Sequence, residues 1–275
     1  MALPRLRDVE RLSERVVRIL GHNPGPFTLQ GTNTYLVGTG PERVLIDTGE
    51  GKSEWRERLQ SLLEDEHARV RTIILTHWHP DHVGGVSDAL ELSPEADVFK
   101  YPADPATPYG SKAWKPMTDG QVFRTQSATL RAVHCPGHTA DHTALMLEEE
   151  DAMFTGDAVL GHGTAVFEDL VAYLRGLNKL EKQFVGRAYP AHGSVIEDGP
   201  GKVREYLTHR REREEQILQV LDTNKRQTSG EIVGTVYRNY PKNLHAAAEG
   251  GVTQVLEKLE NEGRVVREEG RWSRV

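Results

Sequence analysis

Short apolar segments recur through residues 1–199, and many of them alternate or are rich in β-branched side chains, as β-strands are. Segments with helical periodicity interrupt this series at 53–66, 86–92 and 167–180. Strands followed by helices and then by strands imply parallel pairing in part of a sheet. We predict strands at 15–20, 34–37, 43–46, 70–75, 97–100, 121–125, 129–134, 144–147, 152–154 and 186–189.

The pattern changes after the Gly-Pro-Gly sequence at 199–201, where helical periodicity takes over. We predict helices at 203–221, 230–237, 244–248 and 252–262, and a terminal hairpin at 264–266 and 271–275. Helices followed by a small hairpin are typical of a winged-helix-like unit. We therefore predict two domains, 1–199 and 200–275, of which the second is small and helical.

Two segments follow neither pattern. Residues 21–31 are rich in Gly and Pro, and residues 101–117 hold four Pro. The segment 101–117 either borders a substrate groove or is an ordinary surface loop, and both interpretations stay open.

Composition and charge narrow the class of protein. The 275 residues are 37% hydrophobic and 27% charged, which is ordinary for a globular protein, and no apolar run approaches the roughly 20 residues of a membrane span. Residues 1–200 hold 20 Lys and Arg against 29 Asp and Glu, whereas 201–275 hold 14 against 12. This acidic larger part disfavours strong non-specific attraction to nucleic acid. Arg210, Arg211 and Arg213 are predicted to form a solvated helix face, with phosphate binding as the alternative.

Cys135 is the only cysteine, so no internal disulfide forms and a reducing compartment is expected. The first 20 residues mix five Arg with Asp8, Glu10 and Glu14, and they lack the features of a secretory signal. Mitochondrial presequences are poor in acids, so we expect a cytoplasmic protein rather than one of the mitochondrial matrix.

The densest candidate chemistry is Thr-His-Trp-His-Pro-Asp-His at 76–82, directly after the predicted strand 70–75. Neutral imidazole nitrogens and carboxylate oxygens are ligands that zinc takes. Three more turns that follow short apolar segments bear His138, Asp157 and His192. All four turns could meet at one edge of two packed sheets.

Together these turns offer five histidines and two aspartates, enough for two metal ions. One division gives His77, His79 and His138 to the first ion, gives Asp81, His82 and His192 to the second, and lets Asp157 bridge them. The spacing alone does not fix this division. It does not distinguish zinc from iron or manganese either, because sites of His and Asp bind all three metals.

Other side chains could support the site. Asp47 ends the predicted strand 43–46, and we predict that it orients a metal-binding histidine rather than merely capping a turn. His142 could support the metals or be a polar edge residue, and His162, between two glycines, could contact substrate or be merely exposed. Cys135 is predicted to be a buried structural thiol rather than a nucleophile.

The sequence His77-Trp78-His79-Pro80-Asp81-His82 matches the HxHxDH signature of the metallo-β-lactamase superfamily, which the chain also resembles in three later motifs. These are Pro-Gly-His-Thr at His138, Thr-Gly-Asp at Asp157 and Pro-Ala-His-Gly at His192, in the same order. The resemblance implies an αββα sandwich with two zinc ions at one edge of the sheets. It also implies that Asp81 is both a metal ligand and a proton handler.

A narrower resemblance, to the metallo-β-lactamase-like protein 2 group, covers the whole chain. It rests on residues 30–37, 45–49 and 166–170 and on the C-terminal helical unit. The group includes animal endoribonucleases, and it resembles fungal β-lactamase-type thioesterases that release polyketides from acyl carrier protein. Residues 161–163, 189–193 and 197–200 look closer to the thioesterases.

The resemblance therefore implies a binuclear zinc hydrolase that cleaves an ester-type bond with metal-bound hydroxide. The leading hypothesis is a thioesterase acting on acyl carrier protein or acyl-CoA thioesters. The alternatives are a single-stranded RNA endoribonuclease and a glyoxalase-type hydrolase of glutathione thioesters. The complete ligand set disfavours a catalytically silent winged-helix adaptor, and the lack of an export signal disfavours β-lactam cleavage. No membrane partner is expected.

Overall fold

The computed structural model describes residues 3–102, 114–221, 225–239, 241–242 and 245–275 of the chain. Their strands form two large sheets and one small hairpin sheet. The first sheet has seven strands in sequence order: β1 (Val9–Arg11), β2 (Val16–Leu20), β3 (Asn33–Val37), β4 (Glu42–Ile46), β5 (Arg69–Leu75), β6 (Asp97–Lys100) and β7 (Trp114–Pro116). Strands β1 to β4 pair antiparallel, and β4 to β7 pair parallel. The predicted parallel pairing is thus present.

The second sheet has five strands: β8 (Val122–Thr125), β9 (Ala128–His134), β10 (Thr143–Leu147), β11 (Ala152–Gly156) and β12 (Ala188–Pro190). Their spatial order is β12-β11-β10-β9-β8, and only β11 and β12 pair parallel. The parallel pair is possible because a long crossover that contains a helix joins these two strands.

The chain also forms seven α-helices within the described residues: α1 (Ser53–Asp65), α2 (Pro80–Val83), α3 (Val86–Leu92), α4 (Leu170–Leu180), α5 (Gly199–Val220), α6 (Ser229–Val236) and α7 (His245–Asn261). Helix α4 begins later than predicted because the Asp169 side chain caps it by accepting a hydrogen bond from the Ala172 N–H at 2.9 Å. The two helices predicted at 244–248 and 252–262 are one continuous helix, α7, so that prediction is wrong.

Apolar side chains fill the spaces between four layers. Tyr35, Phe154 and Tyr189 lie between the two sheets. Helix α1 packs Trp55 against the outer face of the first sheet, and helices α4 and α5 cover the outer face of the second, where Tyr173 is buried. This is the predicted αββα sandwich.

The C-terminal unit packs against the far end of α5. Its members are α6, α7 and a hairpin of β13 (Val265–Glu268) and β14 (Arg271–Arg274), and they share a cluster that includes Ile217, Leu256 and Trp272. The predicted winged-helix-like arrangement is confirmed. No helix in the described part of the chain is both long and apolar enough to cross a bilayer.

The predicted irregular loop 101–117 is described only at its ends. Its last residues are not irregular, because Trp114–Pro116 forms the edge strand β7. Residues 103–113, on which the hypothesis of a groove border depends, lie outside the described residues.

Candidate metal centre

Every predicted metal-binding residue follows a strand at the same edge of the sandwich. The first four lie after β5, where the chain passes through residues 76–79 into the single turn of α2. Pro80 is the first residue of that helix, a position where its fixed φ favours helix and its missing N–H costs nothing. His138, Asp157 and His192 follow β9, β11 and β12 of the second sheet. The site is therefore assembled from both sheets.

The structure brings all seven predicted ligands into two adjacent groups. In the first group, the Nδ1 atom of His79 lies 3.0 Å from Nε2 of His77 and 3.2 Å from Nε2 of His138. Asp157 completes this group, with Oδ2 at 3.4 Å from Nε2 of His138. Three histidines and one carboxylate thus converge at one point.

The second group consists of Asp81, His82 and His192. Oδ2 of Asp81 lies 3.3 Å from Nε2 of His82 and 3.4 Å from Nε2 of His192. The other oxygen of Asp157, Oδ1, faces this group at 3.1 Å from Nε2 of His192 and 3.6 Å from Nε2 of His82. Asp157 therefore directs one oxygen toward each group, as a bridging carboxylate would.

These distances fit two metal ions. Ligand atoms at the roughly 2.0–2.1 Å of zinc bonds in a tetrahedral site stand about 3.3 Å from one another, close to the separations in both groups. Nε2 of His82 and Oδ1 of Asp157 are also buried without a hydrogen-bond partner among the described residues. Buried polar atoms without partners are costly, and a cation between them would satisfy both.

The protonation states favour metal binding by the first group. Burial disfavours the charged imidazole and holds the pKa of His77 well below its ordinary value, and it also lowers the pKa of His79. Burial alone would raise the pKa of Asp157, but the charges of His192 and His82 hold it well below its usual range. Neutral imidazoles and an ionised carboxylate are the forms that bind metals.

The second group favours a cation for a different reason. Burial alone would lower the pKa of His82, but the neighbouring carboxylates of Asp47 and Asp157 raise it well above its ordinary value. Burial likewise opposes the ionised form of Asp81, yet the charge of the adjacent His82 lowers the pKa of this carboxyl. The surrounding carboxylates thus stabilise positive charge at this point, whether on an imidazole or on a metal.

Hydrogen bonds at the far side of the His77 and His82 rings orient these two candidate ligands. Asp47 accepts through Oδ2 from Nδ1 of His82 at 2.8 Å, and it accepts from the Thr76 hydroxyl at 2.8 Å. Thr76 Oγ1 in turn lies 3.0 Å from Nδ1 of His77. These contacts place a hydrogen on each Nδ1, so that Nε2 is the nitrogen of each ring that faces a metal. Asp47 thus lies where the sequence predicts it, against a histidine of the motif.

Three partners of the ligands have no counterpart in the sequence-based prediction. Thr32 donates its hydroxyl to Oδ2 of Asp81 at 2.9 Å, Thr76 connects Asp47 to His77, and the Val166 carbonyl accepts from Nδ1 of His138 at 2.9 Å. Thr76 could have been found, because it directly precedes the motif. Thr32 is distant in sequence, and a backbone carbonyl has no sequence signal.

His142 and Cys135 lie behind the metal groups and are buried together. Nε2 of His142 accepts from the Asp157 N–H at 3.0 Å, so the hydrogen of the neutral ring is on Nδ1, 3.3 Å from Sγ of Cys135. Burial lowers the pKa of His142 well below its ordinary value and raises the pKa of Cys135 to about 12. His142 supports the Asp157 backbone, and Cys135 is the buried thiol that the sequence predicts.

His162 is exposed and lies apart from both groups, on a groove that ends at His138 and Asp157. The groove has a volume of about 190 Å³, and its apolar lining includes Phe27 and Val166. These two side chains are 76% and 58% exposed, so an apolar rim stands open to solvent beside the metal groups.

Comparisons with known proteins agree with this geometry. The family model described as the metallo-beta-lactamase superfamily matches residues 27–203, and that of the beta-lactamase associated winged helix domain matches residues 228–272. An atrochrysone carboxyl ACP thioesterase from Cryptosporiopsis sp. is 43% identical, over 96% of this chain and 85% of that protein. A second such thioesterase, from Paecilomyces divaricatus, is 44% identical over the same shares. A lactamase-like protein from Pestalotiopsis fici is 43% identical, over 96% and 86%.

Solved structures share the fold. A beta-lactamase domain protein from Burkholderia ambifaria aligns with a TM-score of 0.83 over 97% of this chain and 93% of that one, at 19% identity, a level that supports the fold alone. A metallo-beta-lactamase family protein from Thermus thermophilus aligns with a TM-score of 0.75 over 96% and 100%, at 25% identity. The family match spans more than half of the chain and the fungal relatives align along most of it, so this protein belongs to the metallo-beta-lactamase superfamily.

Proposed function

We propose that this protein hydrolyses the thioester that joins an acyl chain to an acyl carrier protein, using two zinc ions held by the two ligand groups. The observation that carries the proposal is the groove, because it joins an apolar, uncharged rim to the metal-binding side chains. The names of the fungal relatives support the same substrate class.

The groove suits an acyl chain better than a nucleic acid. Its described lining has Phe27, Leu29, Leu160 and Val166, and no Lys or Arg. Binding of RNA depends on cationic side chains that neutralise phosphates and on exposed platforms for bases. An apolar acyl chain instead gains free energy in proportion to the apolar surface that it removes from water. The groove therefore favours the thioester hypothesis over the ribonuclease hypothesis.

The residues of the centre have distinct roles in this proposal. Zinc held by the two ligand groups would lower the pKa of a water molecule and would stabilise negative charge on the acyl oxygen. The carboxylate of Asp81 is held by Thr32 and lies at the open side of the second group, where it can accept the proton of that water. Asp157 lies between the two groups. His138 is the histidine of the first group that lines the groove.

The proposal is tested by incubating purified, zinc-loaded protein with a thioester and measuring the free thiol that hydrolysis releases. Acyl carrier protein bearing an acyl-phosphopantetheine arm is the substrate, with acyl-CoA, S-acylglutathione and single-stranded RNA as parallel candidates. We expect thiol release from the carrier protein, loss of activity with a chelator, and recovery when Zn²⁺ is added back.

A variant distinguishes hydrolysis at the candidate metal centre from hydrolysis by a contaminating enzyme. Asp81→Ala should lower kcat/KM by more than about a hundredfold, since loss of a partner outside the ligand shell already costs about 10- to 100-fold. Asp65→Ala, which removes an exposed acid at the end of α1, should keep wild-type activity. Metal-dependent cleavage of RNA but of no thioester would overturn the proposal.

A further inference from the structure

Helix α5 contacts the segment that follows Asp157 at two points. The hydroxyl of Tyr206 accepts a hydrogen bond from the Leu160 N–H at 3.0 Å. Nη2 of Arg210 donates to the Ala165 carbonyl at 2.6 Å. Residues four positions apart lie on one face of a helix, so this face of α5 holds the segment near both of its ends.

The guanidinium of Arg210 also lies against two aromatic rings. Its Cζ atom lies 4.8 Å from the ring centre of Phe167 and 5.6 Å from that of Tyr173. The predicted solvated helix face is therefore wrong for Arg210 and for Arg213, which are both partly buried, and holds for Arg211, which is exposed. Among the described residues, Arg211 donates within its own helix alone, to Oγ1 of Thr208 at 3.2 Å.

The segment that Arg210 holds is the one that orients His138. The Val166 carbonyl, one residue beyond Ala165, accepts from Nδ1 of His138 at 2.9 Å. The Glu168 N–H then donates to the Gly137 carbonyl at 2.7 Å, so the segment is tied to the His138 turn a second time. A shift of the Ala165 backbone would move the acceptor that keeps Nε2 of His138 directed at the first metal group.

We infer that Arg210 is a positioning residue for the metal centre, which acts through Ala165 and Val166 on His138. The inference rests on the proposed function and deepens it, because it makes α5, at the junction with the C-terminal unit, part of the support of one metal ion. Metal affinity should then depend on a side chain that is not itself a ligand.

Two substitutions of Arg210 and one of its neighbour test the inference. Arg210→Met keeps an apolar stem of similar shape and removes the donor, whereas Arg210→Lys keeps a charge and a donor but not the planar group that stacks on the rings. Arg211→Met is the matched control. Each metal-free variant is titrated with Zn²⁺ against a chromophoric chelator, and the visible spectrum of the Co²⁺-loaded protein reports the geometry of the ligands.

We expect Arg210→Met to weaken binding of one of the two ions by about tenfold, the lower end of the loss seen for partners outside the ligand shell. The Co²⁺ spectrum of Arg210→Met should also change. The zinc affinity of Arg210→Lys should lie between those of Arg210→Met and the wild type, and Arg211→Met should match the wild type in both measurements. If Arg210→Met does not fold, the smaller loss of zinc affinity that we expect for Arg210→Lys tests the inference in the same way.

Thermal unfolding of the metal-free proteins separates positioning from mere packing. Lower unfolding temperatures with unchanged zinc affinities and Co²⁺ spectra in both Arg210 variants would overturn the inference. In that case two ions still bind, and the proposed function stands. A wild-type protein that binds no metal would instead overturn the proposed function itself.

Discussion

At the scale of single residues, the centre depends on which nitrogen of each ring faces inward. His77 and His82 present Nε2 because Thr76 and Asp47 occupy their Nδ1 atoms. His79 presents Nδ1 instead. The sequence predicts the residue types, because a dense motif of His and Asp directly after a strand is typical of a metal site. It also predicts one orienting partner, Asp47 at the end of the neighbouring strand, but not which nitrogen each ring presents, since this depends on Thr76 and on the Val166 carbonyl as well.

Asp47→Asn should therefore weaken zinc binding by about 10- to 100-fold. The amide would place a donor in the position of the oxygen that accepts from Nδ1 of His82 and from the Thr76 hydroxyl. Asp47 has a φ of 57°, a left-handed conformation that Asn also tolerates, so the backbone should not change. Competition with a chelator measures the affinity.

Asp151→Asn is the control for that substitution. Asp151 has a similar φ of 47° and accepts a hydrogen bond from the Val185 N–H, in the hairpin between β10 and β11. The amide oxygen of Asn can keep this bond, and zinc affinity should be unchanged. Equal losses of affinity in the two variants would contradict the role assigned to Asp47.

Cys135 should be almost unreactive in the folded protein. Burial raises the pKa of its thiol to about 12, so the thiolate fraction near neutral pH is small, and it should grow about tenfold per pH unit up to that value. Alkylation by iodoacetamide should be roughly a thousandfold slower than in the unfolded chain. Mass spectrometry with and without denaturant measures the difference, and rapid labelling of the native protein at neutral pH would contradict a buried thiol.

At the scale of the elements, patterns of apolar residues predict the interior strands and the long helices, because burial dictates those patterns. Strands β5, β9 and β10 agree with prediction to within one residue. The missed elements are short or lie at edges. Strand β1 carries a Glu and an Arg, β7 ends in Pro, and α2 is a single turn whose residues serve as ligands.

The wrongly divided helix α7 shows why glycine is a weak boundary signal. Gly250 and Gly251 are typical of a helix end, yet both lie inside a helix whose apolar face packs into the C-terminal cluster. Burial of that face outweighs the roughly 1 kcal/mol that each glycine costs relative to alanine.

Gly250→Ala should consequently stabilise the protein by about 0.5–1 kcal/mol. A methyl group there would meet no atom of the described residues within 4 Å outside the backbone of its own helix, and the φ of Gly250 is not positive. Gly137→Ala is the contrasting substitution, because Gly137 has a φ of 130° and its methyl group would lie 2.2 Å from the backbone of Tyr173. Urea unfolding should give a higher midpoint for the first variant and a lower one for the second; a lower midpoint for Gly250→Ala would contradict a continuous α7.

At the scale of the whole molecule, the centre joins the two sheets. The motif from 77 to 82 belongs to the edge of the first sheet, and His138, Asp157 and His192 belong to the second. The sandwich must therefore be assembled before either of the two candidate ligand groups is complete. The sequence indicates that the four turns could meet at one edge, because each follows a short apolar segment, but spacing along the chain does not specify which turns meet in space.

Zinc should accordingly stabilise the sandwich as a unit. A ligand that binds only the folded state adds about 2.7 kcal/mol when its free concentration is one hundred times its Kd. The thermal unfolding temperature should rise when Zn²⁺ is added to the metal-free protein, and Asp157→Ala should lose most of this rise because Asp157 faces both groups. An equal rise in wild type and variant would contradict the bridging position.

The most direct test of the two-metal thioesterase is a zinc titration of the metal-free protein, followed by thiol release from acyl-loaded carrier protein. The rate should be negligible without metal and should reach its plateau at two ions per chain, as two adjacent ligand groups require. Full activity in the metal-free protein, or a plateau at one ion per chain, would contradict the two-metal centre; no thiol release at any ratio would contradict the thioesterase.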